Sequence, residues 1–142
     1  MRKKNIMLVD DDKIFNFLSE KTITSLGLAN EIHFALNGKQ ALELLEEYKK
    51  GNVQRPDIIF LDLNMPEVDG FSFLKNFKDL PDPIKSKSKI VVLTSSNSAK
   101  DRSQAFTYPN VIQFITKPLK QSDIEDLKKL INHSEFTGQA NS

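Results

Sequence analysis

The chain has 142 residues, 39% of them hydrophobic and 27% charged, which is the composition of an ordinary globular domain, and its net charge of +1 argues against a dedicated nucleic-acid or anionic-membrane binder. The absence of cysteine excludes disulfides, cysteine-ligated zinc, iron–sulfur clusters and thiol nucleophiles, and two histidines leave little for a histidine-rich metal site. The longest apolar runs, Ile58-Ile59-Phe60-Leu61 and Ile90-Val91-Val92-Leu93, fall far short of the ~20 residues of a membrane helix. Arg2-Lys3-Lys4 precedes too short an apolar run to be a signal peptide. No membrane partner and a cytoplasmic location are therefore expected.

In chain order, Asn5–Val9 is nearly continuously apolar and predicts a strand covered on both faces. Lys13–Leu26 carries Ile14, Phe17, Leu18, Ile23 and Leu26 on one helical stripe, with Asp12 as its N-cap. Glu31–Ala35 is more polar and predicts an edge strand. Gly38–Lys50 predicts a helix on Ala41, Leu42, Leu44, Leu45 and Tyr48. Asp57–Leu61 is a further buried strand, and Asp69-Gly70 turns the chain into a short helix, Phe71–Phe77. Leu80–Lys89 predicts an exposed polar loop before the strand Lys89–Leu93. Ser98–Thr107 is a mostly polar helix, Val111–Ile115 a strand, and Ser122–His133 a helix opened by the capping box Ser122-x-x-Glu125. The aromatics Phe15, Phe17, Phe71, Phe73 and Phe77 are expected mostly in the core. Ser134–Ser142 lacks periodicity, so a domain over 4–133 and a flexible tail over 134–142 are expected.

Five successive βα units imply an α/β fold, a doubly wound parallel sheet with helices on both faces. Ligands of such sheets sit beyond the carboxyl ends of the strands. There the sequence places Asp10-Asp11-Asp12, Asp62, Thr94-Ser95-Ser96 and Thr116-Lys117-Pro118. Each residue alone has a plain reading: helix-start acids for Asp10 and Asp11, a turn for Asp62, a loop hydroxyl for Thr94, a solvated charge for Lys117. Together the acids pose an electrostatic problem: crowded, they strain the fold or raise one another's pKa values. Two carboxylates ~4 Å apart repel by roughly 4 kcal/mol at an effective dielectric near 20. A cation removes that repulsion, and all-oxygen ligands without His or Cys select Mg²⁺, with Mn²⁺ as an alternative and Ca²⁺ less fitting. A metal, a lysine and a hydroxyl around one carboxylate make the cage that phosphoryl transfer requires, with Asp62 as the nucleophile.

The motifs Leu8-Val9-Asp10-Asp11-Asp12, Phe60-Leu61-Asp62-Leu63-Asn64-Met65-Pro66-Glu67-Val68-Asp69-Gly70, Val92-Leu93-Thr94-Ser95-Ser96 and Phe114-Ile115-Thr116-Lys117-Pro118-Leu119 resemble those of receiver (response regulator) domains of two-component signalling, from about Lys4 to His133. The resemblance implies a flavodoxin-like sheet of order 2-1-3-4-5. It implies Asp62 as phospho-acceptor, Mg²⁺ held by Asp10, Asp11, Asp62 and the Asn64 carbonyl, and Lys117 paired with the phosphoryl group before a cis Lys117–Pro118 bond. Thr94 and Phe114 become the switch pair, Phe114 standing where many members have Tyr. Asn64 and Ser96 become the positions that tune dephosphorylation. The long Leu80–Lys89 connection resembles stand-alone receivers that serve phytochrome-type histidine kinases.

The implied function is a phosphorylation switch that catalyses only its own modification, not an enzyme with a separate substrate. The implied partners are a sensor histidine kinase or histidine phosphotransfer protein and an unidentified output protein. Output is expected through the face of the fourth helix, fifth strand and fifth helix, by partner binding, homodimerisation or phosphorelay. Three other readings fit less well. A haloacid-dehalogenase-type phosphatase usually places a second Asp where Asn64 stands. A passive binding domain needs no acid cluster. A flavodoxin-like cofactor binder needs a Ser/Thr/Gly-rich loop after the first strand.

Overall fold

A computed structural model of the protein describes residues 2–65 and 69–140, with 133–140 described by their backbone alone. Five strands, β1 (Lys4–Val9), β2 (Ala29–Ala35), β3 (Ile58–Leu61), β4 (Lys89–Thr94) and β5 (Val111–Thr116), form one sheet in the order β2-β1-β3-β4-β5. Every pairing is parallel. The helices are α1 (Lys13–Ser25), α2 (Gly38–Lys49), α3 (Gly70–Phe77), the single turn α4 (Ile84–Lys87), α5 (Ala99–Ala105) and α6 (Gln121–Ala140). No described helix is long and apolar enough to cross a membrane.

The continuous apolar runs follow from burial on both faces. Along β1, Ile6 and Leu8 point into one core and Met7 and Val9 into the other. The first core is closed by Ile23 of α1 and by Ile124, Leu127 and Ile131 of α6. The second is closed by Ala41 and Leu45 of α2, Phe73, Leu74 and Phe77 of α3, and Ala105 of α5. The expected edge strand is β2, which pairs only with β1.

Four local expectations are corrected. The buried face of α1 is Asn16, Ser19 and Ile23, while Ile14, Phe17 and Leu18 lie 75%, 55% and 54% exposed. At ~100° per residue Ile23 falls on the side of the helix opposite Ile14, Phe17 and Leu18, so the five expected residues do not share one stripe, and the side carrying Ile23 is the buried one. Phe17 therefore leaves the expected aromatic core, whereas Phe73 and Phe77 are fully buried with ring centroids 5.9 Å apart.

The 80–89 connection is not an open loop. Its turn α4 buries Ile84, Asn110 Nδ2 donates to the carbonyls of Lys85 and Ser88 at 2.7 Å each, and Ser88 Oγ donates to the Pro56 carbonyl at 2.6 Å. The last helix starts at Gln121, before the expected box, because the Asp123 carboxylate accepts the Lys120 N–H at 2.9 Å. Its backbone continues through the expected tail as far as Ala140, and Asn141 and Ser142 lie outside the described residues.

Candidate functional site

The strand ends are knit together by the main chain. Asp10 N–H donates to the Ala35 carbonyl, Asp62 N–H to that of Val9, and Lys117 N–H to that of Thr94, at 3.0, 3.0 and 2.8 Å. Val9 and Leu61 are in register, so Asp10 and Asp62 leave the sheet side by side. One carboxylate oxygen from each of Asp10, Asp11 and Asp62 lies within 4.8 Å of the others. Asp10 and Asp62 are each only 4% exposed, and Asp11 is exposed.

Lys117 neutralises part of this charge. Its Nζ lies 2.6 Å from Asp10 Oδ2 and 3.5 Å from Asp62 Oδ2. Burial is the largest influence on Asp10 and, with the neighbouring Asp62 charge, holds its carboxyl above the ordinary carboxylate range; Lys117 and the Asp12 N–H offset this only in part. Burial pulls the Lys117 ammonium down, but its contacts with Asp10 and Asp62 outweigh that and leave it above the ordinary lysine value. The three acids thus offer hard oxygen donors that one ammonium does not fully balance, a donor set suited to a divalent cation.

The remaining expected residues sit around this centre. Asn64 is exposed, and its N–H donates to Asp62 Oδ1 at 3.3 Å. Thr94 is fully buried, and its Oγ1 accepts the Ser96 N–H at 3.3 Å. The Ser96 hydroxyl donates to Asp101 Oδ2 at 2.7 Å. Phe114 is half-buried against the core, with the Arg102 guanidinium 5.8 Å from its ring and 5.2 Å from that of Phe106. The Lys117–Pro118 bond is cis. Pro66, Glu67 and Val68 of the central motif lie outside the described residues.

Three contributors escaped the sequence reading. Phe15, assigned to the core, places its ring 4.1 Å beneath the Lys117 ammonium. Asn16 Nδ2 donates to the Asp10 carbonyl at 3.0 Å. Gly70, read as a turn, lets the start of α3 touch the Asp62 segment: a Cβ there would lie 2.5 Å from the Asp62 carbonyl oxygen and 2.6 Å from Leu63 Cα. The signal for Asn16 was present, since positions 16, 19 and 23 share a helix face; Gly70 stood in the quoted motif without a role, and nothing local marks Phe15.

The response regulator receiver domain family model matches residues 6–129. The chain belongs to this family. A two-component response regulator from Cytophaga hutchinsonii superposes with a TM-score of 0.81 and 34% identity, over 92% of this chain and 99% of that one. Response regulator Rcp1 of Synechocystis is 30% identical over 93% of this chain and 86% of Rcp1, and its Mn²⁺-bound structure superposes with a TM-score of 0.71 over 87% of this chain and 88% of that one. The phosphorylated cyanobacterial phytochrome response regulator RcpA superposes with a TM-score of 0.72 and 30% identity, over 92% and 91% of the two chains. Other curated relatives are longer, and this chain spans 53% to 59% of three of them. The receiver is a switch protein of phosphorylation-based two-component signalling, and its acidic pocket suits a divalent metal.

Proposed function

We propose that this receiver takes a phosphoryl group from a phosphohistidine onto Asp62 and thereby switches the face formed by α5, β5 and α6. The observation that carries this reading is the gathering of Asp10, Asp11, Asp62 and Lys117 from three strand ends into one pocket. An Asp62 carboxylate oxygen attacks phosphorus, the P–N bond breaks, and the imidazole leaves with its electron pair, giving an acyl phosphate. Asp10, Asp11, Asp62 and the Asn64 carbonyl would hold Mg²⁺, or Mn²⁺, which supplies positive charge against the phosphoryl oxygens. Lys117 moves its ammonium from Asp10 toward the same oxygens, and the adjacent Phe15 ring limits where it can go.

Thr94 then donates its hydroxyl to a phosphoryl oxygen, and Phe114 turns into the space that it leaves. Phosphorylation shifts a pre-existing equilibrium by its differential affinity for the two states. Asn64 and Ser96 flank the acyl phosphate and set how readily water reaches it. The donor is a cytoplasmic sensor histidine kinase, a hybrid kinase or a histidine phosphotransfer protein. Output passes through a partner protein, a homodimer on the switched face, or onward phosphate relay.

The test is incubation with acetyl phosphate and Mg²⁺, followed by intact-mass measurement. One phosphoryl group per chain, absent from Asp62→Asn and without added divalent cation, is expected. Sustained hydrolysis of phosphomonoesters would instead identify a phosphatase.

A further inference from the structure

Below the acidic pocket, α1 buries two polar side chains that the switch does not use. Asn16 is 5% exposed and Ser19 2% exposed, and they share the inward face of the helix. Asn16 Nδ2 donates to the Asp10 carbonyl, yet Asn16 Oδ1 and Ser19 Oγ have no hydrogen-bond partner among the described residues. Leaving such buried acceptors unmet costs free energy, so each calls for an explanation. Both line a cavity of about 10 Å³ that reaches Asp10 and Asp62 and is walled by Leu8, Phe60 and Leu93. That size accommodates about one water, and two facing polar groups are enough to hold it.

The same amide completes a clamp on the acidic loop. Asp10 Oδ1 accepts the Asp12 N–H at 2.9 Å, Asp12 Oδ1 accepts the Phe15 N–H at 3.0 Å, and the Asp12 carbonyl accepts the Asn16 N–H at 3.0 Å. The Asn16 side chain adds a direct tie between α1 and the main chain of Asp10 itself. Water on Oδ1 would fix the amide in the orientation that presents Nδ2 to that carbonyl, because a flipped amide would face oxygen to oxygen.

We propose that Asn16 is a positioning residue for the divalent cation: it locks the Asp10–Asp12 loop from below and is itself oriented by one trapped water shared with Ser19. This rests on the metal reading of the pocket given above. Partners that orient metal ligands from behind commonly contribute ten- to hundredfold to metal affinity.

The experiment is Mn²⁺ titration of the unphosphorylated protein, read by calorimetry or by the paramagnetic resonance of free Mn²⁺. Asn16→Leu is expected to weaken binding about tenfold. Ser19→Val, whose added carbon occupies the cavity, gives a smaller loss in the same direction. Ile23→Val, a core change on the same helix face, leaves the dissociation constant unaltered. If Asn16→Leu does not fold, Asn16→Ser carries the same test, being too short to reach the carbonyl. Wild-type affinity in the folded Asn16 variant, or an equal loss in Ile23→Val, overturns the positioning role. Wild-type affinity in Ser19→Val, or a high-resolution crystal structure with a dry cavity, overturns the water. Wild-type protein that binds no Mn²⁺ overturns the metal reading itself and the inference with it.

Discussion

Gly70→Ala separates backbone crowding from chemistry at the site. The new methyl would meet two main-chain atoms, at 2.5 and 2.6 Å, and neither can swing away as a side-chain tip could. Ordinary contact begins at 3.4 Å, so the start of α3 and the Asp62–Leu63 segment must part by roughly 0.9 Å. That displacement lies in the upper half of the range for overpacking, about 2–3 kcal/mol. In a domain of this length each kcal/mol lowers Tm by ~3–4 °C, so a fall of roughly 6–12 °C is expected by calorimetry. The segment that moves carries Asp62, so acetyl-phosphate labelling slows as well. Gly27→Ala and Gly51→Ala are the matched controls. Both positions have positive φ, +71° and +82°, with nothing within 4 Å of a new Cβ. Their cost is conformational, about 1–2 kcal/mol, and labelling stays at the wild-type rate. A Gly70→Ala protein that melts with the wild type and labels normally would refute the crowding argument.

Lys117→Met leaves Asp10 and Asp62 facing each other without an ammonium; it should fold but lose roughly 2–3 kcal/mol in urea denaturation, below the fully buried case because water reaches the pocket, and regain more stability than wild type on adding Mn²⁺. The raised Asp10 pKa means that the folded state binds this proton more tightly than the unfolded state. Its contribution is therefore present at acid pH and lost as pH rises through the raised value. Wild type should melt close to Asp10→Asn at acid pH and fall progressively below it as pH rises; a wild type that gains on the variant with rising pH would contradict the assignment. On α1, Leu18→Ser is expected to change stability by less than about 0.5 kcal/mol, whereas Ile23→Ala costs about 3 kcal/mol. Equal costs would restore the outward stripe to the core.

The sheet was legible because burial on both faces forces runs such as Ile58–Leu61 and Ile90–Leu93, which admit few other readings. The pocket was legible because Asp10, Asp62 and Lys117 each follow a strand directly, so topology alone brings them together. What stayed hidden depends on partners distant in sequence or in three dimensions. The buried face of α1 holds Ile23 beside the polar Asn16 and Ser19, and the Asn16 amide finds its partner at the end of β1, which no local pattern signals. The order of the 80–89 segment comes from Asn110 and the Pro56 carbonyl, more than twenty residues away. Gly70 matters only because two main-chain segments meet there.

A crystal structure of the protein grown with Mg²⁺ and trifluoroberyllate, a mimic of the acyl phosphate, addresses the pocket most directly. Beryllium bound to an Asp62 carboxylate oxygen, the cation on Asp10, Asp11 and Asp62, and the Lys117 ammonium and Thr94 hydroxyl both on the fluorines are expected. Trifluoroberyllate bound elsewhere, or a folded protein in which Lys117 remains on Asp10 and no cation joins the three acids, would contradict the assignment of this pocket to phosphoryl transfer.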